Sequence, residues 1–444
     1  MSRAPIAMLC LHFVFLVFAS TGCEEQLQPI ALALQQNKLA DATALLNAVS
    51  SQCSHSASFH ELAGVASTME GNFGVGANQL EEAFSLSPRL SSEPILILSY
   101  SQALLETNQT SRLATFLAHR QSGLPPPLLF SLGTLLAKHG DYQRAIKYFR
   151  QIPADVADDA VYFDLALAYS HLGQFDDARR FYFQAIDREP AHVEAYFRVA
   201  LDFAASGDSR KAIPWLFRAW EFAPTRPDID YALAEQLLVL RYFDSAEEIV
   251  AEALTKNPLN PLLMVAKGDL LLAQGKQPDA VAAFQGALAR EPKLPAALLG
   301  LARVEISQGK TEEARRQLQA ALTIEPDNAA ANGELGSLEL EEEHWSDANS
   351  HLSKAWPADQ SNPIMAVRLA RTLQHLNRTT DALHLLQPLA PRLGNLPAFH
   401  HELAQIYTRL GKTVDAQSER QQLATLQAKS ESTLRFEDPK TYAH

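Results

Sequence analysis

The sequence is poor in cysteine and lacks long runs of like charge, and both absences narrow the class of protein. Three cysteines among 444 residues are too few for a disulfide scaffold, and their spacing matches no zinc motif. The densest acidic stretch, residues 339–343, is interpreted as a solvated helix end. The net charge of −13 argues against nucleic acid as the main partner.

Sequence motifs that carry catalysis are missing as well. Residues 60–64 and 401–405 begin like the helical zinc motif His-Glu-x-x-His, but both lack the second histidine that would clamp a metal between successive turns. The glycine-rich stretch 71–76 does not have the spacing of a phosphate-binding loop. The sequence therefore predicts a protein that is not an enzyme and that holds no metal and no cofactor.

What the sequence does contain is a repeat of 34 residues. Prolines recur at this step, and alanines twelve residues before them keep the same register, as identical stacked units require. The prolines are Pro190, Pro224, Pro258, Pro292 and Pro326, and the alanines are Ala178, Ala212, Ala246, Ala280 and Ala314.

One repeat, residues 159–192, predicts a hairpin of two helices. Its first apolar stripe keeps helical spacing, and Gly173 supplies the positive φ that ends a helix. A second stripe runs from Ala178 to Ile186, after which Pro190 cannot continue the helix. Because one hairpin cannot bury these residues alone, it must stack on its neighbours.

These columns resemble the tetratricopeptide repeat family. The pattern here reads Tyr162, Leu165, Ala166, Tyr169, Gly173, Ala178, Tyr182, Ala185 and Pro190. The resemblance covers nearly all of the mature chain. It implies an all-α fold, an α-solenoid superhelix of about twelve stacked antiparallel helix pairs, and a function in binding other proteins.

The repeat register predicts five segments along one elongated solenoid. They are a signal peptide over 1–22, divergent N-terminal hairpins over 23–125, core repeats over 126–396, C-terminal repeat-like or capping helices over 397–430, and a polar, disordered tail over 431–444.

The N-terminus has the pattern of a secretory signal. Arg3 precedes an apolar run of about 13 residues, too short to span a bilayer, and small residues follow up to Gly22. Cys23 then resembles the lipidated cysteine of bacterial lipoproteins, although Ser20 stands where that motif usually has leucine. The alternative is ordinary cleavage and release into an oxidising compartment, where Cys23 and Cys53 bracket the first hairpin and can form a disulfide.

The first helices of such repeats line a concave groove, and the resemblance implies that partners bind there. The ninth residues change from apolar to charged along the chain, which suits a partner held by mixed contacts. We predict a binding groove formed by fifth and ninth residues of successive repeats. The fifth residues are Phe130, Phe163, Phe197 and Tyr231, and the ninth residues are Thr134, Leu167, Leu201, Glu235, Asp269 and Arg303. The alternative is that the four aromatic rings pack between neighbouring helices as core.

Two kinds of function remain from the sequence. The first is a scaffold of the bacterial cell envelope that holds protein or peptide partners in envelope assembly, secretion or pilus machinery, or polysaccharide export. It would face the periplasm from the outer membrane, held there by a lipid on Cys23 alone. The second is a released periplasmic binder with a chaperone-like or regulatory role. The sequence names no partner and no oligomeric state.

Overall fold

The computed structural model describes residues 23–118, 123–358 and 362–436, and within them it is helical without a β-strand. The chain divides into two compact units, one reaching to Glu189 and the other beginning at Pro190. This division does not coincide with any of the segment boundaries that the sequence predicts, and those boundaries stay predictions. The predicted signal peptide lies outside the described residues.

Unit 1 contains ten α-helices that form five antiparallel pairs in chain order. A 3-10 turn at Pro88–Ser92 precedes the third pair. The helices are α1 Glu24–Gln35, α2 Leu39–Cys53, α3 Ala57–Met69, α4 Phe73–Leu86, α5 Pro94–Glu106, α6 Thr110–Ala118, α7 Pro126–Lys138, α8 Tyr142–Phe149, α9 Asp159–His171 and α10 Phe175–Arg188.

Unit 2 continues with seven more pairs and one single-turn helix, α23. The helices are α11 Val193–Ala205, α12 Ser209–Phe222, α13 Pro227–Val239, α14 Phe243–Lys256, α15 Pro261–Ala273, α16 Gln277–Arg290, α17 Pro295–Ser307, α18 Thr311–Ile324, α19 Ala329–Glu341, α20 Trp345–Ala355, α21 Pro363–His375, α22 Thr379–Leu386, α23 Ala390–Leu393, α24 Pro397–Arg409 and α25 Thr413–Phe436. The predicted fold class and the twelve helix pairs are therefore confirmed.

The first helices of the repeats are uniform in length. From α3 to α24 each of the eleven first helices has 13 residues. We number positions within a repeat from the first residue of this helix, so that Asp159 and Pro261 both occupy position 1. Equivalent positions in different repeats can then be compared directly.

Position 15 makes the turn between the two helices in every one of these repeats, always with positive φ. Most repeats place glycine there, for which this conformation carries no steric cost. Asn108 and Asn377 are the asparagines that tolerate it, whereas Arg241 (φ 62°) and Glu343 (φ 63°) are strained. The shared geometry is needed to fold the second helix back onto the first.

Small residues let the two helices of a hairpin approach closely. Position 20 is a fully buried alanine in repeat after repeat, including Ala178 and Ala246. Position 8 is glycine or alanine in these repeats except that of α5, where it is Ser101, and a Cβ added at Gly268 would lie only 2.5 Å from the ring of Phe284. The centre of the hairpin is then filled by one buried side chain at position 24, which is a ring at Phe149, Tyr182 and Phe284 and an aliphatic residue such as Leu216 in most other repeats.

The C-terminal helix extends beyond the predicted start of the disordered tail. α25 continues to Phe436, so residues 431–436 are helical, and residues 437–444 lie outside the described residues. The physical reason is that no glycine or proline interrupts the sequence between Thr413 and Phe436.

We expect Glu343→Gly to raise the free energy of unfolding by about 0.5–1 kcal/mol, because relief of left-handed strain exceeds the added entropy of the unfolded chain. Gly309→Glu, at the same turn position with φ 70°, is the matched reverse change and should destabilise the protein. Thermal unfolding midpoints measure both variants. Unchanged midpoints in both would contradict the strain at position 15.

Candidate partner-binding surface

In unit 1 the predicted groove residues pack partly into their own hairpins. Phe130 is half-buried with its ring centroid 5.9 Å from that of Phe149, and Phe163 lies 5.6 Å from Tyr182 in the same way. Leu167 is also half-buried. These rings therefore pack against the second helix of their own hairpin, and their place in a binding groove stays a prediction.

In unit 2 one of the two aromatic positions is buried and the other is half-buried. Phe197 is only 8% exposed, and the guanidinium of Arg226 lies 5.3 Å from its ring centroid. Leu201 belongs to the same apolar cluster. Tyr231 is half-buried, and burial raises the pKa of its phenol above the usual value. The role of these side chains in binding a partner stays a prediction.

The polar residues at position 9 follow a pairing rule along neighbouring first helices. Thr134 donates a hydrogen bond to Asp164 at 3.1 Å, and Asp164 occupies position 6 of the next repeat. The same two positions are joined by ion pairs of 3.4 Å, Arg303 to Glu334 and Arg371 to Glu402. In these repeats, therefore, a polar residue at position 9 pairs with a polar residue at position 6 of the following first helix.

Glu235 and Asp269 break this rule, and we call them the acidic pair. The residues at position 6 of the following repeats are Ala266 and Gly300, which offer no polar side chain. Among the residues that the structure describes, neither carboxylate has a hydrogen-bond or ion-pair partner. Packing explains why position 300 is glycine, since a Cβ there would lie 2.3 Å from the ring of Phe284.

Electrostatics couple the acidic pair across three first helices. Burial raises the pKa of Asp269 from 3.8 to about 7; Arg303 opposes the rise and Glu235 adds to it. Burial also raises the pKa of Glu235, again opposed by Arg303, although the Glu235 side chain is exposed. Two neighbouring carboxylates without a hydrogen-bond partner among the described residues, of which Asp269 is half-buried and Glu235 exposed, would be stabilised by a cation placed beside them.

The structure thus brings together four of the predicted residues: Tyr231, Glu235, Asp269 and Arg303. Sequence reasoning missed Glu334, which pairs with Arg303, and it missed that Ala266 and Gly300 leave the acidic pair without partners. The repeat register contained the signal, because position 6 can be read from the sequence once the pairing rule is known.

The two zinc-like sequences have structural roles. Both ring nitrogens of His60 are occupied, one by the side chain of Gln79 at 2.6 Å and one by the backbone carbonyl of Ser54 at 2.9 Å. The ring of His401 instead contacts Gln405, its neighbour four residues on, at 2.7 Å. These histidines form contacts within the repeats and do not converge on a common site.

The acidic stretch 339–343 differs from the expectation of a solvated helix end. Glu339 is only 6% exposed, and the Arg315 guanidinium donates to both Glu339 and Glu342. His344 completes a group whose potential metal-ligand atoms lie within 4.8 Å of one another. The Arg315 guanidinium pairs with both carboxylates, so the network is explained as an ion-pair network between α18 and the end of α19.

Cys23 and Cys53 form a disulfide that closes the first hairpin, with their Cα atoms 5.7 Å apart. A sulfur in this bond cannot also carry a lipid thioether, so lipidation of Cys23 and the disulfide are alternatives for one atom. Lipidation stays a prediction. None of the described helices is both long and apolar enough to cross a membrane.

Comparison with known proteins identifies the repeats. Two family models described as tetratricopeptide repeat match the chain, one over residues 135–200 and 271–338 and the other over 231–297. These segments are therefore tetratricopeptide repeats, as the sequence predicts. A search of curated proteins gives no match.

Two solved structures are similar at low identity. The APC/C hetero-tetramer Cut9-Hcn1 matches with 14% identity and a TM-score of 0.42, over 86% of this chain and 89% of that chain. Yeast Tom70 matches with 15% identity and a TM-score of 0.43, over 94% of this chain and 97% of that chain.

The raised pKa of Asp269 predicts a pH dependence of stability. Because the folded state holds this proton up to about pH 7 and the unfolded state loses it near 3.8, the free energy of unfolding should fall as pH rises between these values. Asp269→Asn should therefore stabilise the protein by on the order of 1 kcal/mol at about pH 8 and have little effect at about pH 4. Denaturant unfolding at both pH values measures this, with Asp244→Asn as the control on α14. Equal effects of the two variants would contradict the assignment.

Proposed function

We propose that the protein is a non-catalytic scaffold that binds partner proteins along the first helices of its repeats. The observation that carries the proposal is the acidic pair, Glu235 and Asp269, which the neighbouring repeats leave without partners. Stacked repeats present side chains of successive first helices side by side, a surface that suits an extended partner segment.

The chemistry of the acidic pair selects a basic partner segment. A lysine or arginine side chain would supply hydrogen bonds to carboxylates that have none from described residues and would lower the raised pKa of Asp269. The half-buried ring of Tyr231, on the same helix as Glu235, offers an apolar contact for the stem of that side chain. Arg303 is held by Glu334, so it leaves the acidic pair available.

Binding of a dye-labelled tetra-arginine peptide, followed by fluorescence anisotropy, tests the acidic pair. We expect the double variant Glu235→Gln with Asp269→Asn to weaken binding at about pH 8 by at least about ten-fold, through the loss of two charge-assisted contacts. In the unaltered protein the affinity should fall as pH drops below about 7, because Asp269 takes up a proton.

A control separates this site from attraction to the overall negative charge. Asp244→Asn with Glu248→Gln removes the same charge from exposed positions on α14. A loss of affinity in this control equal to that of the acidic-pair variant would contradict the proposal.

We further propose that the protein is exported and works in an oxidising compartment of the bacterial cell envelope. The signal-like sequence before Cys23 and the Cys23–Cys53 disulfide support export, because such bonds persist outside the reducing cytosol. The proposal follows the released form of the two that the sequence leaves open, since the bonded sulfur of Cys23 cannot hold a lipid.

Intact mass spectrometry of the protein purified from its own cells distinguishes the two forms. The released form should begin at Cys23, and reduction should increase its mass by about 2 Da through two added hydrogens. Cys53→Ser should then expose a reactive thiol at Cys23. A mature protein that carries acyl chains on Cys23 and does not respond to reductant would contradict the released form.

A further inference from the structure

One repeat of unit 2 has an open cleft between its two helices. The cleft, of about 510 Å³, lies between α15 and α16. Its lining residues are Met264, Lys267, Leu271, Asp279, Ala282, Ala283 and Gly286. These side chains differ from the acidic pair, so the cleft is a separate feature of the surface.

The cleft lies where several other repeats have a pair of interacting side chains at positions 4 and 23. In other repeats these positions hold Tyr196 against Trp215 with ring centroids 6.0 Å apart, Asn332 bonded to His351 at 3.0 Å, and His400 bonded to Glu419 at 2.6 Å.

Here the two positions are Met264 and Ala283, and Gly286 faces the methionine: a Cβ added there would lie 3.7 Å from its sulfur. The small residues at positions 23 and 26 leave the space empty of protein.

Position 7 of the same repeat is equally unusual. It is a buried leucine or valine in the other repeats from α7 onward: Leu132, Leu165, Val199, Leu233, Leu301, Leu335, Leu369 and Leu403. Lys267 takes this place and is exposed at the cleft. Neither Lys267 nor Asp279 pairs with any residue that the structure describes. A leucine at position 7 would stabilise this repeat better than Lys267 does. We therefore interpret the lysine, placed beside apolar cleft residues, as a group that contacts a ligand.

We propose that this cleft binds an extended peptide segment of a partner protein through one apolar side chain with an acidic residue beside it. Met264, Leu271 and Ala283 contact the apolar side chain, and Lys267 pairs with the carboxylate. Asp279 accepts a backbone N–H of the peptide, a donor that a fatty acid lacks. The cleft recognises chemistry opposite to that of the acidic pair, so it does not depend on the function proposed for that pair.

The ¹³C-methyl resonance of Met264 reports occupation directly, with Met365 as an internal reference on α21. The probes are acetylated, amidated hexapeptides: Gly-Ser-Glu-Leu-Ser-Gly, its Glu-to-Lys analogue and its Leu-to-Ser analogue. We expect the first peptide to shift the Met264 resonance with a Kd of about 1 mM, as suits a single small cleft, and both analogues to bind at least about five-fold more weakly.

Two variants and a control connect the signal to the cleft. Ala283→Trp restores the aromatic side chain found at Trp215 and should abolish the shift. Lys267→Glu should reverse the preference so that the Lys peptide binds better than the Glu peptide. Lys293→Glu makes the same charge change at an exposed position outside the cleft lining and should leave binding unchanged. If circular dichroism shows that Ala283→Trp is misfolded, the reversed peptide preference of Lys267→Glu is the test of whether the peptide binds in the cleft.

Three results would overturn the proposal. They are the absence of a Met264 shift with the Glu-Leu peptide, an unchanged preference in Lys267→Glu, and a shift by decanoate with an affinity equal to that of the peptide. The last result would assign the cleft to free apolar acids.

Discussion

The close approach of two helices within each hairpin is the constraint on which the rest of the structure depends. In most repeats position 8 is glycine or alanine and position 20 is alanine, and the space they leave admits one large side chain, such as Tyr182 or Phe284. Because such an interior is closely packed, it has no space for an added methyl group. The constant length of the first helices, the turn at position 15 and the register of the repeats follow from this packing, since each hairpin must present the same surface to the next.

This packing also decides which polar groups stay without partners. Gly300 is needed because Phe284 occupies the space of its missing side chain, and the cost is that Asp269 meets no polar residue at position 6 of the next repeat. Where packing allows a side chain there, as at Glu334, the position-9 residue is paired. The lack of a partner for Asp269 therefore follows from packing inside the hairpin, and here the surface chemistry of the repeat depends on its interior.

Much of the fold could be predicted from the sequence, because the repeat makes one local pattern visible many times. The hairpins, the turn at Gly173 and the twelve pairs follow from periodicity. Arg241 and Glu343 show that the stacked fold imposes the turn even where the residue disfavours it. The site was less predictable, since the packing of Phe197 and the pairing of Glu339 with Arg315 depend on contacts between helices that spacing along one helix does not reveal.

The proposed binding site depends on a half-buried Asp269 carboxylate that, with Glu235, has no hydrogen-bond or ion-pair partner among the described residues. The most direct test is a ¹³C NMR titration of the side-chain carboxyl of Asp269 in the unliganded protein. The account predicts a pKa of about 7, with burial as its cause. A pKa near 3.8 would mean that water or an undetected partner already satisfies the carboxylate, and it would contradict the claim that the surface is built to receive a cation.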